Sequence, residues 1–181
     1  MNHQNIKKLT VMAMLVAVSV ILVYIVHFPI FPSAAFLEYD PADIPILIGA
    51  FTYGPLAGIL LTIAASAVQA LTVSAQSGLY GFLMHVISTS ILCVTAGFIY
   101  KRHHTRMGAA LALLVGTVAM GLGMMLANHF ITPLFMGVPT EMVDGMLLTV
   151  FLPFNLLKAG INSAVTFLVY KTVSTHLIKR I

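Results

Sequence analysis

Apolar residues run almost unbroken along this chain, and the interruptions are short and polar. From Leu9 to Val26 eighteen residues carry no charge. The apolar core of a cleavable leader is about 7–15 residues, so this run reads as a first membrane span. Turn-forming residues at Gly54-Pro55 and around Ser74 to Gly78 break the long stretch that follows. The pattern predicts helix 1 at 7–27, a short helix 2 at 42–53 and helix 3 at 56–73. Helix 4 follows at 78–101, helix 5 at 106–131 and helix 6 at 148–174. The expected fold is an all-α integral membrane protein with six transmembrane helices in a single domain, 1–181. Helix 2 is the exception to the spanning rule. At 1.5 Å per residue it reaches about 18 Å, short of a hydrocarbon core about 30 Å thick. Either the bilayer thins there, or the loop before helix 2 dips into the protein and closes over a pocket. Asp43, with Pro45 close behind it, reads as an N-cap with proline in the first turn. No internal repeat is visible, which weighs against inverted-repeat transporters.

Composition sharpens the class. The chain is 60% hydrophobic and 8% charged, with mean hydropathy +1.02. Soluble domains are about 45–50% apolar and about 25% charged, so a soluble enzyme, a nucleic-acid binder and a disordered linker are all excluded. The net charge of +4 has a simpler cause than nucleic acid, namely the cytoplasmic bias of basic loops. Lys7 and Lys8 precede the first apolar run, Lys101, Arg102 and Arg106 flank one loop, and Lys171, Lys179 and Arg180 close the chain. Both termini and the 101–106 loop are therefore expected inside. The segments 28–43 and 133–148, with Glu38, Asp40, Asp43, Glu141 and Asp144, fall outside by alternation. The stretch between the first acidic segment and the 101–106 loop must cross an odd number of times, and its length requires three crossings. Cys93 has no partner, so no disulfide framework is expected. The histidines lack metal-ligand spacing, and no Walker A, GxSxG or HExxH sequence occurs, so neither a metal site nor ATPase or hydrolase machinery is expected.

Polar side chains inside apolar runs each need a reason, because burying them in hydrocarbon is costly. Lys158 is the one basic residue out of place. Counted from the outer helix ends, Asn128 lies about 5 Å deep and His85, Asn155 and Lys158 about 10–15 Å. Asn155, Lys158 and Asn162 are spaced i, i+3, i+7 and share one helix face. Three helices thus bring polar groups to one level, as a ligand site would. A lysine there could also snorkel, or pair with an outer acid as plain architecture, and His85 could equally be a helix-packing residue. Met84, Met124 and Met125 would suit a flat aromatic ligand. Ala13 and Ala17 form a small-xxx-small pair that allows close helix approach.

Three segments carry a resemblance: FPIFPSAAFLEYDPADIPILIGAFTYGPLAGI, LANHFITPLFMGVP and LPFNLLKAGINSAVTFLVYK. Over nearly the whole chain they resemble the S components of energy-coupling factor (ECF) vitamin transporters, and within them the riboflavin-specific branch. The resemblance implies a bacterial cell-membrane subunit that captures riboflavin near the extracellular face. The loop between helices 1 and 2 would act as its gate. Ala13 and Ala17 would dock on a transmembrane coupling subunit, and two cytoplasmic ATPases would supply the energy. Carried over by motif, Leu37, Glu38 and Tyr39 of the gate loop, Asn128, Asn155 and Lys158 meet the ligand. On helix 4 the family pattern has an asparagine in a GQVANF-like segment, where this chain has His85 within GFLMHV. With the depth argument, the candidate substrate site is Leu37, Glu38, Tyr39, Met84, His85, Asn128, Asn155, Lys158 and Asn162. No catalytic residue and no cofactor is expected, riboflavin being the transported ligand. Its flat ring suits Met, Leu and Tyr walls, and its carbonyls and ribityl hydroxyls suit amide and ammonium donors. The low count of buried carboxylates expected from the sequence argues against a cationic ligand such as thiamine. Pantothenate, whose carboxylate would suit Lys158, is the alternative within this architecture. A small membrane enzyme using Lys158 and His85 as an acid–base pair is a remote one, and a channel would need a polar stripe through the apolar inner half.

Overall fold

A backbone in hydrocarbon has only its own hydrogen-bonding groups to satisfy it, which favours helices throughout this apolar sequence. The computed structural model describes residues 3–173 and 175; Lys179 and Arg180 of the expected C-terminal basic cluster lie outside the described residues. Helix α1 (His3–Ile25) is followed by a two-stranded antiparallel hairpin of β1 (Phe28–Pro29) and β2 (Glu38–Tyr39), with Phe28 opposite Tyr39 and Pro29 opposite Glu38. Then come α2 (Asp43–Tyr53), α3 (Pro55–Leu71), α4 (Gly78–Arg102) and α5 (Arg106–Met136). The last rod is continuous from Thr140 to Val173: α6 (Thr140–Met146), one widened π turn (Leu147–Phe151) and α7 (Leu152–Val173). Among the described residues, four helical rods are long and apolar enough to cross a membrane: α1, α4 with its leading turn, α5 and α6–α7. The two others, α2 and α3, are shorter, at 11 and 17 residues.

Local chemistry explains most of the boundaries. Gly54 has φ +93°, a conformation L side chains rarely adopt, and Pro55 opens α3 at a position that needs no amide hydrogen. Thr105 caps α5, its hydroxyl accepting from the Gly108 amide at 2.9 Å. Two expectations need correction. The segment 133–148 is mostly helical rather than a loop: α5 runs on to Met136 and stops at Gly137, left-handed at φ 65°, and α6 begins at Thr140. The π turn between α6 and α7 has a local cause, since Pro153 lacks the N–H an α-helix would direct at the Thr149 carbonyl. Asp43 is not the N-cap of α2. Ala42 holds that position without a side-chain cap, and Asp43 turns its carboxylate into the bundle instead.

Helix α2 explains its own shortness. Every residue from Asp43 to Phe51 is buried, because α1, α3, α4 and α7 all pack around it. A helix that is apolar all round belongs in a core, and here it forms the bundle's axis. Side chains are small where neighbours come close: a Cβ on Gly58 would lie 2.9 Å from that of Ala50 and 3.0 Å from that of Cys93. The outer faces are apolar too, with Leu9 and Ile21 on α1, Leu122 and Leu126 on α5 and Leu168 on α7 exposed. In water such a surface would aggregate; in a bilayer it is the solvated face.

Candidate ligand pocket

At the end of the bundle that carries the hairpin, the helices splay around a cavity that is open to the exterior. Its walls come from the loop before α2, the last turns of α3, the first half of α4, the middle of α5 and the start of α7. Of the residues expected at a ligand site, Leu37, Glu38, Met84, His85, Asn128, Asn155 and Lys158 all line it. Tyr39 and Asn162 do not. They stand behind the wall and hold it in place.

The α7 face forms as the i, i+3, i+7 spacing requires: Asn155, Lys158 and Asn162 are all buried. Its partners differ from those expected. Lys158 reaches neither Asn155 nor Asn128; its ammonium sits 2.5 Å from Asp40 Oδ2, in the loop before α2. The other oxygen of that carboxylate accepts from the Ala42 amide at 3.0 Å, a local turn typical of aspartate. Burial alone would raise the Asp40 pKa, but the Lys158 charge and the neighbouring His85, with the hydrogen bonds from Lys158 and the Ala42 amide, together outweigh this and hold it below the ordinary carboxylate value. Asn162 ties three pieces together. Its amide nitrogen donates to the Asp40 carbonyl (3.0 Å) and to Asp43 Oδ2 (2.9 Å), and its oxygen accepts from the Tyr39 hydroxyl (3.0 Å). Thr89 on α4 donates to the other Asp43 oxygen at 2.6 Å. Two carboxylates are therefore buried, contrary to the expectation of few, but both are already engaged by the protein's own donors.

Two of the amides are anchored within their own helices. Asn155 donates to the Phe151 carbonyl at 2.8 Å and Asn128 to the Met124 carbonyl at 2.7 Å, one turn back in each case. The Asn128 oxygen accepts from Thr132 at 2.8 Å. His85 Nδ1 pairs with Ser66 Oγ at 2.6 Å, and its Nε2 lies 3.7 Å from Asp43 Oδ1 without a hydrogen bond. Both ring nitrogens thus face protein. Met124 lines the cavity and Met125 does not.

Sequence reasoning missed Asp40 as a lining residue and all of α3. Ser66 and Gln69, spaced i, i+3 on one buried face of α3, were a legible signal of the same kind as that on α7. Phe36, Tyr80 and Phe154 supply aromatic wall that no motif marked.

Residues 7–170 match the sequence pattern of the ECF transporter substrate-specific component. The chain belongs to that family. This S component is accordingly a transporter subunit rather than an enzyme, and a multi-pass membrane protein. It is 29% identical over 179 residues to the riboflavin transporter FmnP of Bacillus subtilis (strain 168), a match spanning 92% of this chain and 91% of that one. To the riboflavin transporter RibU of Staphylococcus aureus (strain TCH60) it is 27% identical over 187 aligned positions, spanning 100% of this chain and 97% of that protein. A solved structure described as the S component of a bacterial ECF transporter superposes with TM-score 0.82 at 28% identity, covering 97% of this chain and 99% of that one.

Proposed function

We propose that this S component captures riboflavin on the extracellular side and delivers it by docking on a transmembrane coupling subunit served by two cytoplasmic ATPases. Six crossings, with both termini and the 101–106 loop inside, put the cavity outside, in keeping with the basic-inside bias. The observation that carries the choice of ligand is the Asp40–Lys158 pair. Among the described residues, Lys158 is the one lysine or arginine in the wall and is already neutralised, and Glu38 adds a negative charge at the rim. A carboxylate ligand such as pantothenate would meet repulsion and no free cation, whereas a neutral flavin loses nothing. Lys158 keeps two ammonium hydrogens for a ligand carbonyl or hydroxyl, and Asn128 and Asn155 each keep one amide hydrogen. Phe36, Tyr80, Met84, Met120 and Met124 offer flat apolar wall to the ring system. The names of the relatives point the same way. Ala13 and Ala17 are exposed on α1, where a coupling subunit can approach closely.

The test is an absorbance spectrum of protein purified in detergent without added vitamin. Flavin bands at about one per chain, or saturable quenching on titration with riboflavin, are expected. A colourless protein that ignores riboflavin, or that exchanges it for pantothenate, would sink the reading.

A further inference from the structure

We propose that Thr132 and Tyr80 are positioning residues that fix the orientation of the Asn128 amide, so that its remaining N–H serves the cavity as a donor and the ligand atom lodged there is an acceptor. The inference rests on the pocket reading above and adds the polarity of one subsite. It starts from the Met124 carbonyl, which can only accept, so the Asn128 amide must turn its NH₂ toward it. That leaves the Asn128 oxygen facing Thr132 Oγ1 at 2.8 Å, and Thr132 must donate its single proton there. Thr132 then has only lone pairs for Tyr80, whose hydroxyl lies 2.8 Å away, so Tyr80 is the donor in that contact. The chain of bonds therefore has one direction: Tyr80 to Thr132, Thr132 to Asn128, Asn128 to Met124. Its inner members are shut off from water, Thr132 being 0% and Asn128 2% exposed. Stacking on Phe135, at 3.8 Å and 9° between planes, fixes the far end. Thr132 itself does not line the cavity, while Asn128 and Tyr80 do.

One lone pair of the Asn128 oxygen is thus engaged by Thr132 on the protein side, and the second N–H is the donor left for the ligand. A carbonyl or hydroxyl oxygen is the partner that N–H selects. Removing the Thr132 hydroxyl leaves the amide oxygen without its donor, and the amide is then pinned at one side only.

The experiment measures riboflavin affinity by fluorescence quenching, with melting of the empty protein alongside, for Thr132→Val, Thr132→Ser, Tyr80→Phe, Asn128→Ala and the pair T132V/N128A. Thr132→Val is expected to weaken riboflavin binding about three- to tenfold. Thr132→Ser, which keeps the hydroxyl, should restore it, and Tyr80→Phe should lose less than Thr132→Val. In the Asn128→Ala background Thr132→Val should cost nothing further, because the residue it positions has gone. An equal cost in both backgrounds, or unchanged affinity in Thr132→Val and Tyr80→Phe, would overturn the relay while leaving the pocket in place. Wild-type affinity in Asn128→Ala would overturn the pocket assignment itself, and the relay with it.

Discussion

Lys158 shows how much one partner changes a residue's meaning. A charged lysine at membrane depth costs about 2.5–3.5 kcal/mol on insertion scales, and amides alone would satisfy it only in part. Paired with Asp40, it becomes half of a buried ion pair whose side chains are 9% and 12% exposed. Breaking such a pair from one side strands the other charge, at a cost of about 3–5 kcal/mol. Lys158→Ala is therefore expected to lower both riboflavin affinity, by tenfold or more, and the melting temperature of the empty protein. The double variant D40N/K158M should recover most of the melting temperature and none of the affinity. A Lys158→Ala protein that melts like the unmodified one would show that the pair does not hold the loop. The pH dependence follows with its sign. Asp40 titrates below its ordinary range in the folded protein, so the pair's contribution is complete above that range and is lost as pH falls below it.

At the scale of elements, the loop between α1 and α2 divides into an anchored base and a lightly held tip. The base is tied to two helices: Ser19 of α1 donates to the Ala42 carbonyl at 2.9 Å, and on α7 Asn162 bonds to Tyr39 and Asp40 and Lys158 pairs with Asp40. The tip is held by a two-residue ladder and by ring contacts, Phe28 with Tyr39 at 5.5 Å and Phe36 with Phe151 at 6.1 Å. Gating by the loop between helices 1 and 2 is therefore expected to centre on its tip. Ligand should slow amide exchange over residues 30–38 and leave 42–46 unchanged, as mass-resolved hydrogen exchange on the empty and riboflavin-loaded protein would read. Equal protection changes in both stretches would mean that the base moves too.

For the whole molecule, charge and small residues divide the labour between the two ends. The cavity and the acidic residues share one end, and Lys101, Arg102, Arg106 and Lys171 lie toward the other. Ala13 and Ala17 stand on the exposed side of α1, opposite buried Val11, Leu15 and Ser19. Ala13→Trp or Ala17→Trp is expected to leave riboflavin binding to the isolated subunit intact and to abolish uptake by cells that carry the coupling subunit and ATPases. Loss of binding in the purified variant would place those residues in the fold rather than at a docking face. Much of this was legible in the sequence, because hydrocarbon admits few structures. Apolar run length marked the helices, Gly54-Pro55 marked the turn, and the i, i+3, i+7 spacing put Asn155, Lys158 and Asn162 on one buried face. These are local or periodic properties, and periodicity survives folding. Which charge meets Lys158 was not local. Asp40 is 118 positions away, and only the packing of α2 between α1, α3, α4 and α7 brings its loop over the α7 face. The same packing drew Asp43 out of its capping role and turned both nitrogens of His85 onto protein. The sequence determined which residues must find partners in the bundle; tertiary structure decided which partners they found, because that choice depends on distances no spacing rule contains.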